Sequence, residues 1–185
     1  MPSVTHKKIP VKETVQDPSL DEGVTINPPM SREEFEARMR NPLFPAHWAM
    51  WVPSEADPHI GKRIHAEGDA ATGFRLSFDR NYDIRLESRR YTTVTLAKVR
   101  ADYVADTPGD GVNSADTEPR DAVETVAAKI PPPGRSLVSA AAGNRRTKVQ
   151  IKNCQTWLIE VVNALHKQGI LDSEAVEAIN NAPKN

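Results

Sequence analysis

Between Ala46 and Val104 the apolar positions recur largely in twos, whereas from Pro119 onward they recur in threes and fours, so a sheet followed by helices is predicted. His47 to Val52 is aromatic-rich and stops at Pro53, as a buried strand does. Lys62 to Glu67 reads as a second short strand closed by Gly68-Asp69. Phe74, Leu76 and Phe78 alternate with Arg75, Ser77 and Asp79, the pattern of a strand with one buried face. Tyr91 to Val104 continues the β-prone region. The links are too short for crossover helices, so an antiparallel sheet of about four or five strands is expected.

The helices follow from caps and period. Ser31-Arg32-Glu33-Glu34 is a capping-box pattern for a short helix ending near Arg40, before Pro42. Thr107 to Glu118 is a polar loop, Asp121 to Lys129 a helix, and Thr147 to Lys152 an extended segment. In the last long helix Cys154, Trp157, Leu158, Val161, Val162 and Leu165 fall on one wide apolar face. Asn153 stands at its N-cap and Gly169 just beyond its end. Asp172 caps a final helix through about Asn180. Residues 1–30 are proline-punctuated and without period, and read as a disordered or draped tail; residues 31–185 form a single α+β domain.

Composition narrows the function. The chain of 185 residues has a formal net charge of −1 with both signs interspersed, so no basic stripe calls for nucleic acid. No stretch approaches the roughly 20 apolar residues of a membrane helix, which argues against an integral membrane segment. Met1 to Val15 lacks the apolar run of a secretory signal, and a cytoplasmic protein is expected. A single cysteine excludes an internal disulfide and any multi-cysteine zinc site.

That cysteine, Cys154, occupies the first turn of a helix, where free amides and the helix dipole favour a thiolate and depress its pKa. Arg145, Arg146, Lys148 and Lys152 lie just upstream. The same amides suit an oxyanion formed when the sulfur attacks a carbonyl. The plainer reading is a core cysteine, because Cys154 is in phase with the apolar face of its helix. His47 and His65, on neighbouring predicted strands, supply a candidate base and a group to orient it. A metal held by His47, His65 and an aspartate such as Asp69 or Asp83 matches no helix-based ligand spacing. Arg80-Asn81-Tyr82-Asp83 reads as a turn after its strand.

A helix-heading cysteine packed on a sheet resembles the site of papain-type enzymes. His47-Trp48-Ala49-Met50-Trp51-Val52 and Asn153-Cys154-Gln155-Thr156-Trp157 further resemble two segments of the lecithin–retinol acyltransferase and Ras-suppressor phospholipase family. The same H-W and N-C-Q-x-W signatures are similar to those of small uncharacterised fungal proteins. The first resemblance implies a circularly permuted papain-like fold in which Cys154 attacks an acyl carbonyl, His47 is the base and His65 orients it. Gln155-Thr156 replaces the family's Glu-His, and the spacing between the histidines is longer.

The expectation is therefore a thiol hydrolase or acyltransferase for an ester, thioester or amide, taking a small-molecule acyl or peptide substrate and no cofactor. Gln155 is the expected side-chain oxyanion donor, with Trp48 and Trp157 lining the substrate site. Two alternatives stay open: a cysteine peptidase or isopeptidase, and a non-catalytic interaction protein that keeps the fold.

Overall fold

The computed structural model describes residues 46–89, 91–106, 111–136 and 152–184, and the backbone of residues 6–14. The architecture is α+β. Among the described residues six strands form one sheet: β1 (His6–Thr14), β2 (His47–Pro53), β3 (Ile60–Asp69), β4 (Gly73–Asp83), β5 (Tyr91–Arg100) and β6 (Ser114–Asp116). Their order across the sheet is β5-β1-β2-β3-β4-β6, and every neighbouring pair is antiparallel. Three helices follow, α1 (Ala122–Ala128), α2 (Cys154–Lys167) and α3 (Ser173–Asn181). The helix expected at Ser31–Arg40 and the extended run from Thr147 lie outside the described residues.

Two strands exceed the sequence expectation. β1 comes from the segment read as a tail and inserts between β2 and β5, with a register shift between Ile9 and Pro10. Proline has no amide to give to a ladder, and a shift in register accommodates it. β6, three residues long, pairs with Phe78 to Arg80 and is too short to leave a periodic signature. The predicted turn at Arg80–Asp83 is instead the end of β4, in which Asn81 takes a left-handed conformation (φ 49°). A left-handed non-glycine residue is uncommon, and Asn tolerates it best. Here the Asn81 side-chain amide donates to the Val112 carbonyl at 3.1 Å.

The helices cover one side of the sheet. Trp48, Met50 and Val52 of β2, Ile64 and Ala66 of β3 and Phe78 of β4 pack against Trp157, Leu158, Val161, Val162 and Leu165 of α2. Fully burying one such side chain contributes about 1.5–3 kcal/mol, so α2 is fixed by its apolar stripe more than by intrinsic propensity. Its start is equally defined: the Asn153 side-chain oxygen accepts the Thr156 amide at 3.1 Å. Gly169, at φ 71°, ends the helix as predicted. Asp121 and Asp172 cap α1 and α3 in the same way.

Candidate active site

Strand alternation sends neighbouring residues to opposite sides of the sheet. On β2, β3 and β4 the residues next to the core positions are His47, Ala49 and Trp51, then Arg63 and His65, then Ser77 and Asp79. Of these, His47, Arg63, His65, Ser77 and Asp79 form a polar line across three strands on the side away from α2. Cross-strand register sets the order, since Arg63 stands opposite Asp79 and His65 opposite Ser77.

The line is continuous. His47 Nε2 and His65 Nδ1 are 2.9 Å apart, joining residues eighteen positions apart in sequence. The two rings meet edge to face, with centroids 5.1 Å apart. His65 is buried, and its Nε2 lies 3.4 Å from Asp79 Oδ2, a close approach that falls short of hydrogen-bond alignment. The Asp79 carboxylate is held from two further directions. Arg63 Nε donates to Oδ2 at 2.6 Å, and the Ser77 hydroxyl donates to Oδ1 at 2.9 Å. Arg63 in turn lies over the Tyr82 ring, 4.2 Å from its centroid. Burial alone would raise the Asp79 carboxyl, but His65 and Arg63 hold it well below the usual carboxylate range.

Cys154 opens α2 and is only 5% exposed. Burial pushes its thiol up, against opposing hydrogen bonds from the backbone amides of Trp48, Gln155 and Cys154 itself. The expected depression of the thiol pKa is therefore corrected. A helix start lowers a thiol where water reaches it, and here the loss of water outweighs the amides. Neither imidazole is among the groups that shift the sulfur. What links the sulfur to the imidazole pair is the peptide unit joining His47 to Trp48, whose amide opposes the effect of burial on the thiol. That peptide lies just beyond the last β2–β3 pair, Ala49 with His65.

Three expected substrate contacts have other duties. Both side-chain amide hydrogens of Gln155 are taken by main-chain carbonyls, Ala46 at 2.8 Å and Lys184 at 2.9 Å, so this residue is no oxyanion donor in the resting protein. Trp48 and Trp157 are core rather than lining. Both are fully buried, and their indole N–H groups donate to the carbonyls of Pro183 and Ile130. A surface groove of about 310 Å³, bordered by Trp51, His59 and Tyr91 among others, contains none of Cys154, His47 and His65. The chemistry and not the groove therefore locates the site.

The aspartates considered for a metal are used locally. Asp69 accepts the amides of Ala71 and Thr72, and Asp83 pairs with Arg85. Among the described residues no group of three or more His, Cys, Asp or Glu side chains is arranged to hold a metal ion. Asp79 is the residue that sequence reasoning missed. Its place on the polar side of an alternating strand was visible, but its register against His65 was not.

The model of a family of unknown function, DUF6540, matches residues 35–172. No curated protein and no solved structure matches the chain. Among the described residues no helix is long and apolar enough to cross a membrane.

Proposed function

The chain belongs to the DUF6540 family, whose function is unknown, and from its site we propose a cysteine-dependent hydrolase or acyltransferase, acting in the cytoplasm on an ester, thioester or amide carbonyl. The observation that carries this reading is the 2.9 Å pairing of His47 with His65, in a chain whose one cysteine heads the helix packed on the same sheet. Two abutting imidazoles backed by an ionised carboxylate supply the support that a proton acceptor needs. The order His47, His65, Cys154 along the chain, and the likeness to the lecithin–retinol acyltransferase type noted above, support a permuted papain-like arrangement.

Because burial raises the thiol's pKa, the proposed step starts from a thiol whose proton an imidazole must take. The Cys154 proton passes to His47 as the sulfur bonds to the carbonyl carbon, which needs the His47 ring to meet the sulfur round the start of β2. The tetrahedral oxyanion gains from amides at the α2 terminus. Collapse breaks the bond to the leaving alcohol, thiol or amine, which takes the proton from His47. Water or an acceptor nucleophile then attacks the acyl-thioester.

The test is turnover of activated ester, thioester and amide substrates by the wild type and by Cys154→Ala, with intact-mass detection of an acyl adduct. Loss of at least ~10²-fold and of the adduct in the variant is expected. Full activity in Cys154→Ala would sink the proposal. The 5% exposure of Cys154 favours a second reading, a non-catalytic interaction protein whose cysteine is packing. That reading predicts no adduct in the wild type.

A further inference from the structure

We infer that Asp79, fixed by Arg63 and Ser77, is a positioning residue that selects the tautomer of His65 and, through it, the nitrogen of His47 that accepts a proton. This inference rests on the thiol-enzyme reading for its purpose, though not for its geometry.

Proton placement follows from the distances. An ionised carboxylate accepts hydrogen bonds and cannot donate one. Asp79 Oδ2 lies 3.4 Å from His65 Nε2, so the favoured neutral form of His65 carries its proton there. His65 Nδ1 then presents a lone pair to His47 Nε2 at 2.9 Å, and His47 must be the donor. With its proton on Nε2, His47 keeps the lone pair on Nδ1, and Nδ1 is the basic atom. If the carboxylate were neutral or absent, His65 could carry its proton on Nδ1 and donate to His47, moving the basic nitrogen of His47 into the shared bond.

The carboxylate is built to resist that change. Arg63 and Ser77 occupy separate oxygens, and the Arg63 guanidinium is braced by the Tyr82 ring and lies 3.7 Å from Glu87. Arg63 faces Asp79 directly across the β3–β4 ladder, and His65 is the diagonal neighbour. Cross-strand neighbours on one face are the natural unit of contact in a sheet. Rigid strands therefore fix all three groups, which is what tautomer selection requires.

The experiment is ¹⁵N NMR of the imidazoles in the full chain, at a pH where both rings are neutral, for the wild type and Asp79→Asn. The wild type is expected to show His65 and His47 both protonated at Nε2, and Asp79→Asn to show a substantial population shifted to Nδ1 in both rings. A wild-type His65 protonated at Nδ1 overturns the inference and needs no variant to fold. An Asp79→Asn protein with unchanged tautomers overturns it equally. The thiol-enzyme reading fails separately: correct tautomers without acyl-adduct formation at Cys154 would remove the enzyme and leave the positioning role of Asp79 intact.

Discussion

β3 and β4 carry two buried polar networks back to back, and alternate residues of the same strands build them. On the helix side Lys62 and Arg80 meet Glu124 and Asp121 of the α1 region, with Lys62 2.8 Å and Arg80 2.5 Å from Glu124. Arg80 also holds Asp116 at 2.8 Å and the Glu118 carbonyl at 2.9 Å. On the other side Arg63, Asp79 and His65 run to His47. The first network joins permanent charges of opposite sign, all but Asp116 almost wholly buried. The second begins with charged groups and ends in two abutting imidazoles. Burial penalises charge on both sides, and the networks differ in what each does with its carboxylate. Glu124 anchors a helix, whereas Asp79 faces an imidazole.

Removing one partner from the helix-side network sharpens the contrast. Glu124→Gln removes the buried carboxylate that Lys62 and Arg80 share while Asp121 and Asp116 stay as partners, so the cost should fall below the ~3–5 kcal/mol of a fully broken buried pair. Urea denaturation should show that loss, with the turnover of the remaining folded protein unchanged. A stability change below about 1 kcal/mol would show that water reaches the cluster. Gln155→Ala provides a neutral standard between the two. It leaves the carbonyls of Ala46 and Lys184 without this donor, for an expected ~1–3 kcal/mol by the same measurement. A loss of activity far larger than the loss of stability would restore Gln155 as an oxyanion donor.

Acid should have the smallest effect over the ordinary range. Asp79 and Glu124 both titrate below their usual values in the folded protein, because nearby cations outweigh the cost of burial. Their unfolded values lie near 4, so their contribution to stability is fully present above that pH. It is lost as the pH falls below about 4 toward the folded values. Thermal melts from pH 7 down to 3 should be flat at first and then drop. A steep loss already between pH 7 and 5 would place the dominant titration on the histidines instead.

Local signals were legible in the sequence. The face of α2 from Cys154 to Leu165, its Asn153 cap and its Gly169 stop all depend on residues a few positions apart, and all stand where expected. His47 and His65 were legible as partners because a short loop joins their strands. Properties set by distant chain were not. β1 depends on pairing with β2 and β5, and its own lysines and proline mask the alternation. The Gln155 contacts reach 109 and 29 residues away. Asp79 faces Arg63 only through the β3–β4 register, which the hairpin around Gly68 and Gly73 fixes; a Cβ on Gly68 would meet the Gly73 carbonyl at 2.2 Å. The direction of the Cys154 shift was hidden for the same reason. The helix start is local, and the burial that overrides it is tertiary.

The most direct test of a base-assisted thiol is the rate of Cys154 alkylation by iodoacetamide against pH, followed by intact mass, in the wild type and His47→Ala. With an imidazole taking the proton as the sulfur reacts, the wild type is alkylated at neutral pH tenfold or more faster than His47→Ala, although burial raises the thiol's own pKa. Slow alkylation that rises only in alkali, identical in the two proteins, would contradict the account and leave Cys154 as packing.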